Sequence, residues 1–153
     1  MNTIKNILLG LALLSILTFA ACGGGDSPTP ITDPSQEIID GLEKAWSVTS
    51  VTFQNQDVTS DWNGFALTFD TSQGYQATNL SVESILVWPP SGSYSIPNTA
   101  NPTSLLRSDG VAILVSNLTE ASATLTFTIS GRGGRMGGKD EGLLGEWVFH
   151  LEN

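Results

Sequence analysis

Asp57, Thr59, Asp61 and Asn63 place oxygen-bearing side chains at alternate positions just before Gly64. Calcium loops draw their ligands from this kind of alternation. Here Trp62 stands where such a loop needs its central glycine, and no glutamate closes it at the right distance. The expected structure is an Asx-stabilised turn with Trp62 folded over a barrel end, and no metal is expected. A second run, Arg132 to Leu144, contains Gly133 through Lys139 with the spacing Gly-x-x-x-x-Gly-Lys. A phosphate loop needs Ser or Thr next, to reach magnesium, and a helix after it. Asp140 takes that place and a strand follows, so no nucleotide cofactor is expected. The plain reading is a hairpin loop joining the last two strands. The functional one uses Arg132 and Arg135, with Lys139, to accept a carboxylate or sulfate at a barrel mouth.

Nucleophilic and metal chemistry find little else to work with. His150 is the single histidine, out of register with Trp147, Phe149 and Leu151, and is expected to face solvent. Zinc would need cysteines or more histidines. A glycosidase needs two carboxylates held across a cleft, whereas Asp140 and Glu141 are neighbours on one loop. The chain is therefore expected not to be an enzyme. Of the tryptophans Trp46, Trp62, Trp88 and Trp147, most belong in a core, because large aromatics dominate burial. Trp62 and Trp88 sit beside turns, which makes them the candidates for a ligand cavity or a sugar-stacking platform.

Cys22 is the only cysteine. Ahead of it, Lys5 is the sole side-chain charge, an apolar stretch runs from Ile7 to Leu17, and Ala20 and Ala21 lead into the thiol. That order describes a secretory signal peptide, too short to span a membrane. Phe19-Ala20-Ala21-Cys22 resembles the lipobox of bacterial lipoproteins. The resemblance implies cleavage before Cys22, a thioether-linked diacylglycerol on its sulfur, and acylation, by palmitate for example, of the new amino terminus. Several acyl chains give a stable anchor where one is marginal. Gly23 after the cysteine gives no reason for inner-membrane retention, so the expected address is the outer membrane, on either face.

Residues 1–21 are thus read as the signal peptide, and 22–35 as the lipidated cysteine with a flexible Gly/Pro linker. The domain then occupies 36–153. Loss of Lys5 from six basic residues leaves five, and the formal charge moves from −9 to −10. Nucleic acid is excluded as a partner, since polyanions need clustered Lys and Arg. With no disulfide available, stability must come from a packed core, which a domain of about 110 residues can supply. Asp33 and Pro34 suit the start of a short helix carrying Ile38, Ile39 and Leu42 on one side, kept short by Gly41.

From Ala45 onward the apolar period is two. Ser47 to Phe53 is rich in β-branched residues; Phe65, Leu67 and Phe69 alternate with Ala66, Thr68 and Asp70, Leu125, Phe127 and Ile129 with threonines, and Trp147, Phe149 and Leu151 with Glu146, Val148, His150 and Glu152. Weaker runs cover Tyr75 to Asn79, Ser84 to Trp88, Ser93 to Ile96, Ser104 to Arg107 and Val111 to Val115, with Asp109-Gly110 as a two-residue hairpin turn. About eight short strands without a long helix leave a barrel or a sandwich, and sequential hairpins favour an all-β up-and-down barrel. Large inward residues such as Phe53 and Phe65 suggest that side chains fill it.

An ordered series runs through these strands: Asp57-Val58-Thr59, Trp62, Gly64-Phe65, Leu67-Thr68-Phe69, Val87-Trp88-Pro89, Ser91-Gly92 and Ser104 to Gly110. Leu125-Thr126-Phe127 and Gly145 to Phe149 complete it. The series resembles the lipocalin-like lipoproteins of the Bacteroidota, which implies a small secreted barrel. The expected function is a lipid-anchored, non-enzymatic binding or scaffold module of the cell envelope, holding a small apolar or glycan ligand. The alternatives are an interaction subunit docked on another envelope protein, and a carboxylate-based hydrolase.

Overall fold

A computed structural model describes residues 33–130 and 143–153 of the chain. Helix α1 spans Pro34–Leu42. The Asp33 carboxylate caps it, accepting from the Ser35 N–H at 2.9 Å, and Pro34 fits the first turn. Nine strands follow: β1 Ala45–Phe53, β2 Gln56–Asp57, β3 Ala66–Phe69, β4 Gly74–Thr78, β5 Ser91–Ser95, β6 Ser104–Arg107, β7 Ala112–Ser116, β8 Ser122–Ile129 and β9 Gly145–Glu152. A 3-10 turn, Thr59–Trp62, and a one-turn helix α2, Ser84–Val87, bridge two of the connections.

Neighbouring strands pair antiparallel in the order β1-β3-β4-β5-β6-β7-β8-β9, and β9 pairs back onto β1. Eight strands therefore close an up-and-down barrel, as the hairpin pattern predicts. The two-residue β2 lies outside that circle as an extension of β1. A bulge at Thr49 shifts the β1–β9 register between Val48 and Ser50. Closure gives the long ladders partners on both sides and removes the edges that invite aggregation.

Period-two burial follows the sequence closely. Phe65, Leu67 and Phe69 are buried, as are Leu125, Phe127 and Ile129, and Trp147, Phe149 and Leu151, while His150 faces solvent. Two local expectations fail. In the run Ser84 to Trp88, Ser84–Val87 is a helical turn, not a strand. The Ser81 N–H donates to Ser84 Oγ and the Ser84 N–H to Ser81 Oγ, at 2.6 and 3.1 Å. This reciprocal capping holds the backbone helical despite the apolar run Ile85-Leu86-Val87. The β6–β7 hairpin loop closed by the Arg107–Val111 pair has three residues, Ser108 to Gly110, not two: Gly110 N–H donates to the Arg107 carbonyl, and Arg107 N–H to the Val111 carbonyl. Gly110 sits at φ +88°, the left-handed position that such a three-residue hairpin needs.

Candidate functional site

Side chains fill the barrel. Trp46, Trp88, Leu67, Leu125 and Phe149 are each 0% exposed. Phe149 lies at the centre of an aromatic cluster, stacked on Phe127 at 5.6 Å and edge-on to Trp62 at 4.7 Å. Phe65 and Trp88 each lie 5.8 Å from the same ring. Tilted and edge-to-face packing of this kind adds to the burial of each ring.

Among the described residues one charged side chain enters this interior. Arg107 shares the inward face of β6 with Leu105 and is 1% exposed. Its Nε and Nη2 donate to the two oxygens of Asp109 at 3.0 and 2.6 Å, and Nη1 donates to the Val87 carbonyl at 3.1 Å. Its guanidinium lies over the Trp88 and Phe127 rings. A fork bound on both sides and stacked on aromatics suits arginine and not lysine. The arrangement ties the β6–β7 turn to the end of α2.

Both rims are covered. At one, α1 inserts Leu42, whose carbonyl accepts the Trp46 indole N–H at 2.9 Å. A β-carbon at Gly41 would stand 2.9 Å from Leu118, so glycine lets α1 approach the β7–β8 turn. At the other rim the 3-10 turn lays Trp62 across Phe65, Trp147 and Phe149. Among the described residues no helix is long and apolar enough to cross a membrane.

Two concavities lie outside the barrel. One of about 860 Å³ runs between α1 and the β7–β8 turn, with Glu37, Asp40, Lys44 and Leu118 in its walls. Another, about 540 Å³, follows the outer face of β6 to β8 past Ala112, Leu114 and Thr126. A third is small, about 80 Å³, and opens where the 3-10 turn meets α2; Asp61, Trp62, Glu83 and Trp147 help to line it.

Of the candidate ligand-binding residues, Trp62 and Trp88 fall among the described residues, and they do not line one cleft. Trp62 is 4% exposed and reaches the small cleft; Trp88 is 0% exposed and forms part of the packed interior instead of a mouth. Cys22, Arg132 and Arg135 lie outside the described residues. Asp57 makes an Asx turn, its Oδ1 accepting the Thr59 N–H at 2.9 Å. The Thr59 side-chain and backbone hydrogen bonds hold the Asp57 carboxyl below its ordinary pKa. Thr59 Oγ1 in turn accepts the Val51 N–H at 2.9 Å, so the alternating oxygens serve the turn. Among the described residues no three acidic, histidine or cysteine side chains group as metal ligands. Sequence reasoning missed Arg107, which was legible from parity with Leu105.

Comparison with protein-family models, with curated proteins and with solved structures finds no match to this chain.

Proposed function

We propose that the chain is a lipid-anchored lipoprotein of the cell envelope, held in the outer membrane through Cys22, whose barrel is a non-enzymatic binding or scaffold module. The filled interior is the observation that carries this reading. Trp46, Trp88 and Phe149 occupy the space where a ligand-carrying barrel keeps its cavity. Binding then belongs to the rims and the outer wall. The ordered motif series supports kinship with the lipocalin-like lipoproteins of the Bacteroidota, and the lipobox-like Phe19-Ala20-Ala21-Cys22 supports the anchor.

Two measurements test it. Cys22→Ser, or globomycin treatment, is expected to leave an unprocessed precursor without palmitate label; unchanged maturation would remove the anchor. Native mass spectrometry of the purified chain is expected to show a surface-bound small molecule or a stoichiometric protein. A hydrolytic activity surviving purification would overturn the non-enzymatic assignment.

The second reading, an interaction subunit, is favoured by one feature of the outer wall. Leu106 and Leu114 are 39% and 47% exposed on adjacent strands β6 and β7, beside the exposed Ala112. Neighbouring exposed aliphatics on a barrel wall suit a protein partner.

A further inference from the structure

The charges of this acidic chain avoid one side of the barrel. Every outward residue of β5 is a serine, and the outward run of β8 includes Thr124, Thr126 and Thr128. Between them stand Leu106, Ala112 and Leu114 on β6 and β7. None of the outward positions on these four strands holds Asp, Glu, Lys or Arg. The chain nevertheless carries a formal charge of −9, and soluble surfaces are ordinarily about 25–35% charged. The carboxylates sit elsewhere: Asp70, Asp109 and Glu120 lie in turns, and Glu146 and Glu152 are exposed on β9. This wall also has relief. Leu106 and Leu114 are 39% and 47% exposed, and the concavity of about 540 Å³ runs beside them past Ala112 and Thr126. The one charged residue in its lining, Asp109, is held by Arg107.

We infer that this uncharged wall docks a second copy of the chain. Charge is the first reason to choose a copy over another partner. Two bodies at −9 each repel, and the repulsion is least where the facing surfaces carry no charge. A basic partner gains nothing from a wall without carboxylates and is drawn to the acidic turns and β9 instead. Shape is the second reason. A two-fold interface needs its knob and its hollow on one patch, because each copy presents both. Leu106 supplies the knob, opposite Ala112 across the β6–β7 ladder, and Ala112 lines the hollow. The serine and threonine hydroxyls around them suit a polar rim. Four strands about 4.8 Å apart, five residues long at about 3.4 Å each, make a wall on the order of 300 Å². Each partner of a standard interface buries about 800 Å², so this dimer is weak, with a dissociation constant of about 0.1 mM.

This inference rests on the interaction-subunit reading of the outer wall and names its partner. Its test is sedimentation equilibrium of the full chain in density-matched detergent, over about a hundredfold range of concentration around that constant. A monomer–dimer equilibrium is expected. Leu114→Glu sets a carboxylate on the wall and is expected to weaken the dimer about tenfold. Leu106→Ser removes the knob without adding charge and is expected to act in the same direction. Thr68→Glu makes a comparable change at an exposed position of β3, across the circle of strands, and is expected to leave association unaltered. Unchanged circular-dichroism melts check that the barrels persist. A monomer at every concentration, a dimer insensitive to the two leucine variants, or an equal loss in Thr68→Glu each overturns the second copy. A different protein that co-purifies stoichiometrically and is lost with Leu114→Glu overturns it too, while leaving the docking reading in place. That reading fails separately, when no protein co-purifies and neither leucine variant changes any association.

Discussion

The Arg107 guanidinium carbon lies 5.0 Å from the Trp88 ring centroid, inside a barrel otherwise lined by apolar side chains. An arginine at 1% exposure would carry a heavy desolvation cost if unpaired. Asp109 supplies the counter-charge from a turn that still reaches water, with a side chain 17% exposed. The pair is thus asymmetric: its cation is sealed and its anion is not.

That asymmetry ranks two substitutions. Asp109→Ala strands a buried positive charge and is expected to cost about 3 kcal/mol. Arg107→Met leaves a carboxylate with access to water and puts a flexible apolar chain against Trp88, so its expected cost is smaller, about 1–2 kcal/mol. Urea unfolding of both variants measures the difference. An arginine variant as damaging as the aspartate variant would contradict the asymmetry.

The same residue marks how far the sequence could be read. Alternation of Leu125, Phe127 and Ile129 announces a half-buried strand because one face of a barrel wall meets the core and the other meets water. The closed barrel follows from repeated short hairpins. Arg107 obeys the same parity, falling in step with Leu105, but its charge assigns it to the surface unless its partner two residues on is also considered. The turn of Ser84 to Val87 was hidden for another reason. Its β-branched composition points to a strand, and only the hydroxyl pairing of Ser81 with Ser84 overrides it. The small cleft was less legible still. Asp61 and Glu83 are 22 positions apart in the chain, and their approach depends on where two connections cross one rim.

Gly92 is a packing glycine. It lies opposite Tyr75 across the β4–β5 ladder. A β-carbon there would stand 2.6 Å from the Tyr75 hydroxyl oxygen and 2.8 Å from Cζ. Tyr75 packs against Phe69 on one side and Trp88 on the other, so its ring has little freedom to withdraw. Gly92→Ala is expected to destabilise the fold by about 1–3 kcal/mol through overpacking. Its φ is not positive, so backbone strain adds nothing. A neutral melting temperature for the variant would show that the ring yields.

Tyr94 gives the barrel an alkaline limit. Its hydroxyl is buried without a hydrogen-bond partner. Burial first, then the charges of Asp70 and Glu43, push its pKa up to about 12 from 10.0. A group whose folded pKa is raised contributes stability that is complete below the unfolded value and is lost as pH climbs toward the folded one. The affected window therefore runs from pH 10.0 to about 12. Tyr94→Phe is expected to abolish that loss and, having no orphaned hydroxyl to bury, to be neutral or stabilising at pH 7. Denaturant midpoints at neutral and alkaline pH test both halves. A marked loss of stability at pH 7 would mean that the hydroxyl is satisfied in solution.

Phe149 tests the filled interior itself. Its ring is 0% exposed and meets Trp62, Phe65, Trp88 and Phe127. Truncation to alanine removes the burial of a whole ring and leaves a void among neighbours that are themselves locked by packing. The expected cost of Phe149→Ala is about 3–5 kcal/mol. The void would be apolar on every side, and such cavities stay dry and accept small aromatic guests. Benzene is therefore expected to raise the melting temperature of the variant and to leave the parent chain unaffected. Stabilisation of the parent by the same guest would reveal space in the barrel where packed rings are described, and ligand binding would then return to the interior.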